Sequence, residues 1–168
     1  SVIATANTRD KGVNEMSAAL KRRFNIVVLP TPASLETEID IVKTRVEQLS
    51  GGMELNASLP ESDVVEKVCT IFRELRNGET CDKSQKLKTT TGVLSTAEAI
   101  SLLCGSMALA GSFGNGKVSD EDLAAGLAGA VIKEEDKDVT AWKEYLENVM
   151  KKRGSKWSGL YNACREML

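Results

Sequence analysis

A chain of 168 residues, 42% of them hydrophobic, is long enough for one domain, or for one small domain with a piece of another. Its formal net charge of −2 argues against a broad nucleic-acid surface, and its lack of histidine removes Cys–His catalysis, Ser–His–Asp triads and most zinc sites together. Four cysteines are scattered without a CxxC pair, no window approaches the roughly 18 apolar residues of a membrane span, and no basic, apolar leader opens the sequence, so the expectation is a reduced, cytoplasmic protein with no membrane partner.

Taken in chain order, Val2 and Ile3 suit a buried strand, and the small Ala4, Thr5 and Ala6 allow close backbone approach before the run stops at Asn7. A strand ending in a polar amide suits an α/β sheet, where ligands gather at the carboxyl ends of strands. By itself, Asn7 reads as the start of a turn. A loop over 8–14 and a short helix over 15–23 follow. In FNIVVLP, residues 26–29 form an unbroken apolar run suited to a strand buried on both faces, which Pro30 and Pro32 end. Two short strands do not make a stable sheet alone, so this segment reads as part of something larger.

From Ser34 onward the pattern is helical. Ser34 caps a helix with Leu35, Ile39, Val42, Val46 and Leu49 at helical spacing, and Gly51 and Gly52 stop it. Pro60 or Ser62 starts a second, carrying Val64, Val65, Val68, Ile71, Phe72 and Leu75 to a terminating Gly78. A polar linker spans 79–92. Ser95 with Glu98 forms a capping box at a third helix, and Ser119 with Asp122 opens a fourth in the same way. The intervening GSFGNGK lacks a preceding strand and the Walker spacing, and reads as a plain turn. A fifth helix carries Val139, Trp142, Leu146 and Val149, with Glu147 and Lys151 paired at i,i+4, and a last one follows Gly154. Cys69 and Cys104 fall on apolar faces as small hydrophobes, while Cys81 falls in the linker and is the cysteine expected to be exposed. The fold class is thus mainly α: a helical bundle preceded by two short strands and a helix, a fragment of an α/β sheet.

The stretch VIATANTRDKGVNEMSAALKRRFNIVVLPTPASLETEIDIV resembles the C-terminal part of an AAA+ ATPase of the MoxR-like, dynein-related group. It matches a sensor-1 strand ending in Asn, a short helix, an Arg–Phe element and the last core strand leading into a lid. LKRRF followed by an apolar strand carries most of that likeness, which extends more weakly through VLSTAEAISLLCGSMALAG and KVSDEDLAAGLAGAVIKEE. The resemblance implies an end piece of the core at 1–33, a helical lid at 34–140 and a C-terminal helical extension at 141–168.

Carried over by position, Asn7 is the sensor-1 residue that orients the attacking water, and Arg23, with Arg22 as the alternative, is the arginine finger. An amide suits that place because it offers a donor and an acceptor without adding charge; a guanidinium from a neighbouring subunit neutralises charge on the transferred phosphoryl group. Without the resemblance, Arg22 and Arg23 read as a solvated basic helix end. Ser95 and Ala97 fall where the lid of related ATPases faces nucleotide. Ala97 stands where the pattern SPRA has its sensor-2 arginine, so either this subgroup does without that arginine or another basic residue such as Lys86 or Lys88 serves. No GxxxxGK[ST] and no apolar run ending in paired acids is present. The resemblance therefore implies a fragment of a longer ATPase, inactive alone and binding no cofactor itself, whose parent uses ATP and Mg2+. It further implies a homo-oligomeric ring of ATPase subunits and a von Willebrand A-type protein as partner. The alternative reading is a helical protein-interaction module with no nucleotide chemistry.

Overall fold

Side-chain caps set four of the seven α-helix starts among the described residues. The computed structural model describes residues 2–5 and 17–168, and the chain divides into two units, Ser1–Thr31 and Pro32–Leu168. In the first unit, Ser17 accepts the Leu20 N–H at 3.3 Å and starts a single turn, α1 (Ala18–Lys21). The helix expected over 15–23 is one turn long here, and residues 15 and 16 lie outside the described set. No strand is found among the described residues, so the two expected strands of the core remnant are not seen. A strand is held by a ladder to its neighbour, and no such neighbour to either run is found among the described residues. Ile26, Val27, Val28 and Leu29 are accordingly 54, 72, 82 and 86% exposed.

The second unit follows the helical pattern closely. Ser34 Oγ accepts the Thr37 N–H at 3.1 Å and opens α2 (Leu35–Ser50), which buries Val42 and Val46. Ser62 is the first residue of α3 (Ser62–Asn77), which ends at Gly78 with φ of 69°. That left-handed cap suits glycine because a Cβ there is strained and meets Thr89. Capping boxes at Ser95–Glu98 and Ser119–Asp122 open α4 (Thr96–Phe113) and α5 (Asp120–Val131). Next, α6 (Glu135–Asn148) leads through a 3₁₀ turn (Met150–Arg153) to α7 (Ser155–Glu166).

Apolar stripes then bring the helices together. The α2 helix rests on α3 and α4, α4 on α5, and α5 on α7, while α6 meets α7 directly and through the 3₁₀ turn. Val68, Ile71, Phe72, Leu103, Met107, Leu127, Trp142, Leu146 and Leu160 fill one continuous core. Burying each large side chain is worth about 1.5–3 kcal/mol. At Gly159 a Cβ would collide with the end of the Asp120 side chain, so a larger residue there makes that carboxylate turn away. Among the described residues α4 alone has the length and apolarity of a membrane span, contrary to the expectation from sequence. Its Ala, Gly and Ser residues make it apolar without bulk, and its buried face packs on α2, α3 and α5.

Residues 79–92 are not a loose linker. An isolated bridge pairs Glu79 with Lys86, and Leu87 N–H donates to the Gly78 carbonyl at 2.8 Å. The Asp82 carboxylate accepts from Thr80 and Ser84, and these bonds hold it down at about 2. The far end is fastened to α6 by Asp138, a fully buried carboxylate that accepts from Thr91 N and Oγ1 and from the N–H groups of Lys133 and Glu134, at 2.7–2.8 Å. Burial pushes the Asp138 carboxyl up, but those four donors outweigh it and leave it at about 2.

Candidate functional site

Of the residues singled out from sequence, Asn7 lies outside the described set. Arg22 and Arg23 close α1: their N–H groups donate to the carbonyls of Ala18 at 3.2 Å and Leu20 at 2.9 Å, and both residues are exposed. Ser95 and Ala97 lie together at the start of α4, in the second unit.

That helix start is built by opposing local preferences. Leu94, just before the cap, has a positive φ of 47°, a left-handed conformation that costs a non-glycine residue about 1–3 kcal/mol. Two features hold it there. Its side chain is fully buried, and its carbonyl accepts Arg76 Nη1 at 2.8 Å. Ser95 Oγ accepts the Glu98 N–H at 3.2 Å and donates to the Glu98 carboxylate at 2.9 Å. The hydroxyl is therefore fully used as a cap. Ala97 is exposed and ends in a methyl group.

Beneath this turn sits a buried ionic cluster. Glu38 of α2 is 0% exposed. It accepts both terminal nitrogens of Arg76, at 3.0 and 2.8 Å, Arg73 Nη1 at 3.4 Å and Thr96 Oγ1 at 3.0 Å. Arg73 also reaches back to the start of the second unit, donating to the carbonyls of Pro32 at 3.2 Å and Ala33 at 2.7 Å. One carboxylate thus joins α2, α3 and α4 through a two-pronged Arg76 pair. Removing one partner of such a buried pair costs about 3–5 kcal/mol. The cluster was missed from sequence although a signal exists. Glu38 lies one turn before the buried Val42, and Arg76 one turn after the buried Phe72, so both occupy inward positions of otherwise apolar stripes.

The lysines considered as substitutes for a lid arginine are engaged elsewhere: Lys86 with Glu79 at 2.9 Å, Lys88 with Glu144 at 2.6 Å. A second buried carboxylate, Glu74 of α3, accepts Tyr145 Oη at 2.7 Å, Cys81 N–H at 2.8 Å and Arg153 Nη2. Burial, and then the charge of Glu74, pushes the Cys81 thiol up to about 11, and burial chiefly takes Cys69 and Cys164 to about 12. None of these thiols supplies a thiolate nucleophile near neutral pH. Among the described residues, no group of His, Cys, Asp or Glu has the arrangement of a metal site. A depression of about 270 Å³ at the end of α2 is lined by residues including Leu55, Leu59 and Met107, with neither Ser95 nor Ala97 among them.

Comparison with known proteins bears on this architecture. The chain is 34% identical over 164 residues to the uncharacterized protein YehL of Escherichia coli (strain K12). That alignment covers 96% of this chain and 44% of YehL, so the chain spans less than half the length of this curated relative. No solved structure matches. Residues 36–167, nearly the whole of the helical unit, match the YehL-like AAA+ ATPase C-terminal domain, and the chain belongs to that family.

Proposed function

We propose that the chain is the C-terminal part of an ATP-binding, ATP-hydrolysing AAA+ ATPase that remodels other macromolecules, of the MoxR-like group. The observation that carries this reading is the family match over the helical unit. In this reading Arg23, or its neighbour Arg22, is an arginine finger, Asn7 is the sensor-1 residue, residues 34–140 of the helical unit are the lid, and 141–168 are a C-terminal extension. An exposed guanidinium at the end of α1 is free to meet a phosphoryl group on a neighbouring copy, whereas a buried one is not. The start of α4 does not by itself fit a nucleotide phosphate. Ala97 has no polar side-chain atom, the Ser95 hydroxyl is used by the cap, and Arg73 and Arg76 are held by Glu38 and main-chain carbonyls. The parent protein then acts in the cytoplasm as a ring of identical subunits using ATP and Mg2+, beside a von Willebrand A-type partner.

The test uses both lengths of protein. The chain alone is expected to release no phosphate from ATP. In the full-length protein Arg23→Ala lowers hydrolysis by roughly 10³–10⁵ while ATP binding survives, and Asn7→Ala also affects turnover more than binding. If the large loss falls on Arg22→Ala instead, the finger moves by one residue. Unchanged hydrolysis in both arginine variants removes the assignment.

A further inference from the structure

Arg73 makes its shortest bonds to main-chain carbonyls rather than to a charge. Its Nη2 donates to the Ala33 carbonyl at 2.7 Å and its Nη1 to the Pro32 carbonyl at 3.2 Å, against 3.4 Å to Glu38. Those two carbonyls belong to the first residues after the boundary between the two units at Thr31. Neither carbonyl lies within a helix, so neither has a helical partner. A planar guanidinium spreads its N–H donors over a rigid fork and so spans two adjacent carbonyls while touching a carboxylate, whereas an ammonium has to reach all three from a single nitrogen. On its far side, Glu38 holds Thr96 Oγ1 at 3.0 Å and Arg76, which in turn holds the carbonyl of the strained Leu94.

We propose that Arg73 is a strut that fixes the path by which the chain enters the bundle at Pro32 and Ala33, and that Glu38 couples this path to the start of α4. Arg73 is a positioning residue, and the inference stands whether or not nucleotide binds near α4. Two helix starts then move together: that of α2 at Ser34 and that of α4 at Leu94 and Ser95, with α3 as the rigid support. A displacement of Pro32 and Ala33 is felt at the first turn of α4 through a chain of four side chains, Arg73, Glu38, Arg76 and Thr96.

The experiment compares the 168-residue chain with its Arg73→Gln and Arg73→Lys variants by backbone ¹⁵N relaxation and amide hydrogen exchange, with Arg45→Gln as a charge-matched control. Arg45 bonds only Gln48 on the outer face of α2 among the described contacts. In the parent chain, order parameters at Ala33 and Ser34 are expected near the rigid value of about 0.85, falling below about 0.6 in Arg73→Gln. In that variant the amides of Glu98 and Ala99 exchange about tenfold faster, whereas those of Ile71 and Leu127 hold, and Arg45→Gln changes neither set. If Arg73→Gln does not fold, Arg73→Lys keeps the charge beside Glu38 but loses the double span, and gives the same reading. Unchanged order at Ala33 and Ser34 in a folded variant overturns the strut. Unchanged exchange at Glu98 and Ala99 overturns the coupling, and an equal loss across all helices shows a general stabilising role instead.

Discussion

Two runs of similar apolar character end in opposite environments. Ile26, Val27, Val28 and Leu29 stand 54–86% exposed, whereas Val65, Val68, Ile71 and Phe72 are between 0 and 1% exposed. The difference is in the partner each run finds. A helix satisfies its own backbone and needs only an apolar neighbour, and α3 finds that in α2 and α4. A strand must also find a second backbone to receive its hydrogen bonds, and none is present among the described residues. Apolar pattern thus fixes burial only where the secondary structure it implies can close its hydrogen bonds within the same chain.

The largest expected effect on stability sharpens this contrast. Phe72→Ala should cost about 3–5 kcal/mol, because the cavity left in a core shared by several helices cannot collapse fully; chemical denaturation measures it. An intermediate effect is expected at Asp138. Its folded carboxyl is held at about 2, below its ordinary 3.8. A depressed carboxyl stabilises the fold above its unfolded value, so this contribution, about 2 kcal/mol, is intact above pH 4 and lost as pH falls from about 4 through about 2. Asp138→Asn should lower stability at pH 7 by a similar amount and flatten that acid slope. The smallest effect is at the other run: Val28→Ser should change the stability of this chain by less than about 0.5 kcal/mol. A loss comparable to that of Phe72→Ala would mean that Val28 is buried in solution, and the comparison would break.

The helix boundaries were legible because local chemistry decides them. Ser34, Ser95 with Glu98, and Ser119 with Asp122 each bond an N–H within three residues of themselves, and Gly78 relaxes its own backbone. What escaped depends on distant partners. Residues 79–92 read as a linker because their anchor, Asp138, is 47 residues beyond Thr91. The ionic cluster escaped for the same reason, since Arg76 and Glu38 are 38 residues apart and each alone looks like an ordinary surface charge. Ser95 was legible as a cap and is one. A nucleotide-facing role for Ser95 and Ala97 came from resemblance, not from any property of the two side chains, and the buried charges beneath them left only the faint trace of polar residues at inward helical positions.

Glu74 carries a consequence for how this sequence can change over generations. Its one buried carboxylate serves Cys81, Tyr145 and Arg153, which belong to three different elements. Losing Arg153 leaves a negative charge without its counter-charge, and losing Glu74 strands a phenol and a guanidinium. Cys81 gives only its main-chain N–H, which any residue but proline supplies, so the side chains open to drift only in concert are Glu74, Tyr145 and Arg153. The α6 helix and the 3₁₀ turn are therefore tied to α3 as a shared heritage, and a lineage that alters one of these three side chains must alter its companions or weaken the join.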